Sequence, residues 1–281
     1  DGFDENDPNP VHRPSAMRVH TCFTSTVTKP STMFASGWYF HMPESSAAQF
    51  LSGQIMYAWG MSHEYGHMLD NRNTVITEQT NNVYSVQCVF YGILGKYRQD
   101  GQIHWEDYHP QIKNTCLTKH YALNKENARN PQGKAVVSGV SDSFYNPMMW
   151  WLGTHFFDEW DYSDYDFDSS PYTPELAEQV GRYGAFGTSM RILRENASAV
   201  TNVTADKAMR IIVAHTMSTG YNFAEYVESM GKTNVFQEVK DFCSQYPSLP
   251  RKVQYFTIDS ANNDGVGRKT YDEYGMEVAP I

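Results

Sequence analysis

The chain is poor in cysteine, and the few it has do not form a metal-ribbon pattern. Cys22, Cys88, Cys116 and Cys243 are widely spaced. No C-x-x-C occurs, which argues against a structural zinc finger. Their pairing does not follow from sequence; Cys88, in an apolar stretch, reads as a small buried hydrophobe. Basic residues are also scarce, 22 against 32 acidic ones, for a net charge of −10. A nucleic-acid binder needs a basic patch or stripe, so nucleic acid is not expected as a partner. No apolar run reaches transmembrane length, so no membrane insertion is expected in this segment. There is no G-x-S-x-G elbow, no G-x-x-x-x-G-K phosphate loop and no fixed-period repeat. Neither an initiator methionine nor a signal peptide is seen. We therefore expect a fragment or processed module, its N-terminal part and export signals lying outside it.

What is present is His63-Glu64-Tyr65-Gly66-His67. Two histidines at i and i+4 share one helix face. That spacing suits two ligands on one tetrahedral zinc ion, bound at roughly 2.0–2.1 Å. Glu64, beside the first histidine, can take a proton from an attacking water without being a ligand. The five-residue motif alone is weak, because solvated helices match it by chance. Ser62 is a candidate helix N-cap, although the preceding residues could also be helical and continuous. Gly66 is anomalous: it costs about 1 kcal/mol in a helix interior relative to alanine. Something packing close to it would explain the missing side chain.

Glu78 follows, after a turn over Thr74 to Thr77, and is expected to open an apolar helix running to about Gln99. A carboxylate at a helix start is favoured by the dipole in any case. The sharper reading makes it a third ligand, giving the His₂Glu set with one open position. Asn82, one turn on, and Asp70 are candidates to hydrogen-bond a ligand histidine.

With these words in order, the sequence resembles a known family. Trp59-Gly60-x-x-His63-Glu64-Tyr65-Gly66-His67, then Thr77-Glu78-x-Thr80-Asn81-Asn82-Val83-Tyr84-Ser85, is similar to the enhancin-like, mucin-degrading zinc peptidases, peptidase family sixty and its relatives. Asp4-Glu5-Asn6-Asp7-Pro8-Asn9, Arg13-Pro14 and Met17-Arg18-Val19 resemble the segment preceding the active-site helices there. The likeness covers residues 1 to about 100 clearly and the rest only in general helical character. Met68-Leu69-Asp70 departs from the Asn or Gln common after the second histidine, which leaves the subfamily and glycan preference open. The resemblance implies zinc as cofactor, His63, His67 and Glu78 as ligands, and Glu64 as base. It also implies a secreted or cell-surface gluzincin whose substrates are O-glycosylated, mucin-type proteins. Two alternatives stay open: a general gluzincin protease indifferent to sugar, and a non-catalytic glycan-binding zinc module.

The expected fold is α+β: a zincin catalytic domain with a small N-terminal sheet, active-site helices and a helical C-terminal subdomain. A chain of 281 residues buries a full core. The catalytic domain is assigned to 1–250, its β-containing half at about 1–100 and its helical half at about 101–250. A β-hairpin extension is assigned to 251–281, from Val253 to Ile258 and Val266 to Tyr271 around Asn262-Asn263-Asp264-Gly265. Met17 to Val27 reads as one strand, and Thr32 to Met42 as a second, broken or bulged at Gly37. Helix signals follow at Ser45 to Gly60, Ile112 to Asn124, Phe144 to Phe157, Pro174 to Val180, Tyr183 to Glu195, Ala205 to Thr219, Phe223 to Met230 and Val235 to Gln245.

Substrate contacts are sought among aromatics. The resemblance implies that Ala35 to His41 is the strand that pairs with substrate, with Trp38 and Tyr39 flanking the cleft. Alternation puts those two on opposite faces, so one of them belongs equally well to the sheet core. Tyr145, Tyr183 and His215 are candidates for an oxyanion donor on the far wall. His155, among apolar residues, reads as a satisfied core histidine. The acidic and aromatic stretch from Asp158 to Asp168 reads as a solvated loop, with a calcium or sugar site as the sharper alternative.

Overall fold

A computed structural model describes residues 2–13, 20–26, 34–36, 39–51, 58–91, 147, 150, 151, 153–155, 157–229, 234–250, 256–258, 268–271 and 277–278. Trp38, Tyr145, Cys116, the helix expected at 112–124 and the tail of the Glu78 helix beyond Tyr91 lie outside the described residues.

The N-terminal sheet has three strands: β1 (His20–Thr24), β2 (Phe34–Ser36) and β3 (Tyr39–Pro43). Their order is β1-β3-β2, with β1 parallel and β2 antiparallel to β3. Ser36 pairs with Tyr39 and Phe34 with His41. The single strand expected over Thr32 to Met42 is therefore two strands, β2 and β3, paired antiparallel. This corrects the reading of Ala35 to His41 as one substrate-pairing strand: within that stretch β2 lies at a sheet edge, and β3 is central. Phe40 and Met42, on one face of β3, are fully buried and pack with Phe23 against Met61, Tyr65 and Met68. Those three belong to the helix that carries the histidine motif.

Helix α1 (Ala47–Leu51) follows a short 3₁₀ turn, and α2 (Ala58–Leu69) carries the histidine motif. Ser62 thus lies inside α2, which begins four residues earlier, and is not its N-cap. Helix α3 (Thr80–Tyr91) packs along α2. Glu78 does not open α3; it stands in the turn two residues before it.

The helical half has α4 (Pro174–Glu195), α5 (Ala197–Thr201), α6 (Lys207–Thr219), α7 (Phe223–Ser229) and α8 (Gln237–Cys243). Gly184 interrupts α4 with φ 73°, so α4 is two helices across a kink. The Asp158 carboxylate accepts the Ala185 N–H at 2.8 Å, capping the second segment, and it also binds His155 at 2.6 Å. His155 is therefore a satisfied histidine, stacked on Trp151 at 4.6 Å. Helix α6 is the centre of the core, packed by α4, α7 and α8. Its C-terminal carbonyls are buried and need donors. Tyr172, Tyr162 and Tyr165 donate to Ser218, Thr219 and Gly220 respectively. Tyr162 and Tyr165 of the acidic loop thus serve as caps, and its Asp164 and Asp168 are exposed.

Residues 2–13 dock on the second segment of α4. Asp7 and Arg191 form an ion pair at 2.5 Å, both nearly sequestered from solvent, and the arginine holds the Asp7 carboxyl below its ordinary range. His12, buried, lies 2.7 Å from Glu195. At the other end, β4 (Phe256–Ile258) pairs antiparallel with β5 (Arg268–Tyr271), and β6 (Glu277–Val278) adds a third strand.

Candidate metal centre

The site is assembled by α2, the loop after it and the first turn of α3. His63 and His67 project from one face of α2, their rings 4.9 Å apart and nearly perpendicular. Ligand-type atoms of His63, Glu64 and His67 lie within 4.8 Å of one another. Glu78 comes closer to the histidines than Glu64 does. Its carboxylate oxygens lie 3.0 Å from His63 Nε2 and 3.4 Å from His67 Nε2, whereas Glu64 lies 4.0 Å from His63 Nε2. Ligand atoms around a tetrahedral zinc are about 3.3 Å apart when each bond is roughly 2.0–2.1 Å. The spacing and the donor types therefore fit a zinc ion held by His63, His67 and Glu78.

Two details tune the histidines. Asn82 Oδ1 lies 2.6 Å from His63 Nδ1. An amide oxygen only accepts, so Nδ1 carries the proton and Nε2 presents its lone pair, the tautomer a metal needs. Burial, then the neighbouring His63, pushes the His67 pKa down, favouring the neutral form. Asn82 is anchored in turn by donating to the Glu78 carbonyl at 3.1 Å.

Glu64 is 6% exposed. Burial pushes its pKa up, opposed by His63 and by the backbone N–H of Ala35 on β2. A carboxylate with raised proton affinity beside the two imidazoles suits a general base. The Ala35 contact brings the edge strand against the base.

The missing side chain of Gly66 now has its reason. A Cβ there would stand 2.5 Å from the Asn81 carbonyl oxygen. Asn81 is a site residue that the motif reading missed. Its Nδ2 lies 3.1 Å from His67 Nε2 and 3.2 Å from His63 Nε2. Gly66 was the available signal, since it announced a close neighbour. Glu78 has φ +65°, rare for a residue with a side chain. Strain of that kind costs roughly 1–3 kcal/mol and gathers at functional sites.

Other expected site residues lie elsewhere. Asp70 bonds neither histidine; it accepts from Thr80 Oγ1 at 2.8 Å. His215 is fully buried between Phe186 and Phe223. Burial alone pushes its pKa down to about 3, and a neutral ring inside the core does not reach an open cleft. Tyr183 donates to Asp4 at 3.3 Å and stacks under Arg191, at the docked N-terminal segment. Tyr39 is 49% exposed and stacks with His20 on the sheet face opposite Phe40.

A helix-borne pair of histidines, a carboxylate between them and a second carboxylate from the next turn define the class: this is the arrangement of a metallopeptidase. The chain belongs to the peptidase M60 family, enhancin and enhancin-like, which matches residues 2–179. Solved structures with a similar fold include three catalytic domains. The catalytic module of the metalloprotease ZmpA from Clostridium perfringens has a TM-score of 0.54 at 16% identity, covering 90% of this chain and 40% of its own. The M60 catalytic domain of ZmpB from the same organism, with two CBM51 domains, scores 0.57 at 15% identity, covering 90% and 22%. The M60 domain of its ZmpC, in complex with the sialyl T antigen, scores 0.53 at 14%, covering 92% and 42%. The chain thus spans less than half the length of each of these. A comparison with curated protein sequences gives no match.

Proposed function

We propose that the protein is a zinc metalloendopeptidase that hydrolyses peptide bonds in O-glycosylated, mucin-like proteins outside the cell. The observation that carries the reading is the Glu78 carboxylate within 3.0 and 3.4 Å of the two Nε2 atoms that a metal would use. His63, His67 and Glu78 hold the ion, which when bound supplies Lewis acidity toward water and the scissile carbonyl. Glu64 takes the proton of the attacking water and passes it to the leaving amine. Its burial supports both steps, since a carboxyl of raised proton affinity accepts and then holds that proton. Asn82 keeps the His63 ring in its working tautomer. The edge strand β2 lies against the base, where an extended peptide can add as a further strand.

The glycan preference rests on family membership and on the sialyl T antigen bound by the ZmpC domain. One serine- or threonine-containing peptide, with and without its O-linked sugar, tests it. The proposal expects cleavage of the glycosylated form next to the sugar-bearing residue, with products mapped by mass. Equal cleavage of both forms makes the protein a protease without glycan requirement. Binding of the glycopeptide without cleavage makes it a glycan-binding module.

A further inference from the structure

The loop between α2 and α3 holds a left-handed Glu78 that local sequence does not favour. Non-glycine residues stay in this conformation only where the surroundings over-determine it. Here the loop is closed on both sides of Glu78. Two residues before it, the Ile76 N–H donates to Thr80 Oγ1 at 3.0 Å. Two residues after it, the Thr80 hydroxyl donates to Asp70 Oδ2 at 2.8 Å, the shorter of its two acceptors, the other being the Ile76 carbonyl at 3.2 Å. Thr80 is 7% exposed. Asp70 is itself fixed to the end of α2 by its N–H, which donates to the Gly66 carbonyl at 2.9 Å. A chain of bonds therefore runs from α2 through Asp70 and Thr80 to Ile76, and the Glu78 turn lies within it.

We propose that Asp70 is a positioning residue: through Thr80 it clamps the Glu78 turn, and so sets the third ligand against His63 and His67. This rests on the zinc-ligand reading above. It gives Asp70 a role different from an acceptor for a histidine. It also accounts for a buried carboxyl at this point, where desolvation pushes its pKa up to about 7. A group that costly to bury persists where it makes a bond the fold needs.

Zinc dissociation constants measured by chelator competition, beside melting of the metal-free protein, test the clamp. Asp70→Leu and Thr80→Val each remove one end of the bond without shrinking the site. Each should weaken zinc binding about tenfold to hundredfold, with the metal-free protein still cooperatively folded. The double variant should be no weaker than Thr80→Val alone, because that substitution already removes the bond that Asp70→Leu removes. Asp70→Asn and Thr80→Ser keep an acceptor and a hydroxyl, and should stay within about threefold of the unaltered protein. The clamp is overturned if Asp70→Leu and Thr80→Val bind zinc as tightly as the unaltered protein. It is also overturned if zinc affinity falls only in step with the stability of the metal-free protein, or if the conservative variants lose as much. Failure of the unaltered protein to bind zinc is a separate result, which removes the metal-site reading itself.

Discussion

The Cα of Gly66 on α2 faces the backbone of Asn81 on α3 so closely that a methyl group there would lie 2.5 Å from the Asn81 carbonyl oxygen and 2.8 Å from its Cα. The two helices that carry the site touch at this point, between His63 and His67 on one side and beside Asn82 on the other.

Gly66→Ala is the first consequence. Alanine favours a helix by about 1 kcal/mol over glycine. Overpacking of a tight contact typically costs about 1–3 kcal/mol, and here the obstruction is backbone, which cannot rotate away. The clash wins. Thermal melting should drop, and zinc content should fall with it, because separating the helices withdraws Asn82 and Glu78 from His63. A more stable variant with full zinc content would show that the helices do not pack as described.

The Asn82 amide is the next test. Asn82→Leu removes the acceptor from His63 Nδ1 and frees the ring to tautomerise. Zinc affinity should fall about tenfold to hundredfold, measured by competition with a chromogenic chelator. Asn82→Asp still accepts from His63 but loses the donor to the Glu78 carbonyl, so its affinity should fall less than that of Asn82→Leu.

Asp70 gives a pH dependence. Its native pKa, pushed up to about 7 by burial, lies above its ordinary value of 3.8. For an acid shifted this way, protonation favours the native state. Its contribution is fullest below about 3.8 and is lost as pH rises through about 7, by at most about 4 kcal/mol. In metal-free protein, denaturant unfolding between pH 4 and 8 should show this fall, and Asp70→Asn should flatten it. With zinc bound the fall should shrink, because a nearby cation favours the carboxylate. A profile unchanged by Asp70→Asn would assign the titration to another group.

The site was more legible than the fold around it. His63, Glu64 and His67 obey helical spacing, and Gly66 signalled a close contact by breaking helix propensity. Glu78 could be named but not placed: a left-handed residue before a helix is set by the bonds of Asp70, Thr80 and Ile76, which span the loop. The same holds for Asp70, whose partner is a hydroxyl ten residues on, not the histidine three residues back. In the sheet, the interruption at Gly37 was legible in Thr32 to Met42, and only pairing shows that its two sides run antiparallel as β2 and β3. The break in the long helix was visible as two segments, although Gly184, not the residues just before it, supplies the turn. Least legible was the docking of residues 2–13. Asp7 finds Arg191 across 184 positions, and no local periodicity encodes a contact at that distance.

The central claim is that Glu64 is the base of a zinc site built by His63, His67 and Glu78. Glu64→Gln changes a carboxylate to an amide of the same shape and leaves those three residues intact. Zinc analysis beside a mass-mapped assay on an O-glycosylated peptide tests the claim directly. The account predicts one zinc per chain, as in the unaltered protein, with hydrolysis reduced by at least about a hundredfold. Undiminished hydrolysis by Glu64→Gln would contradict it.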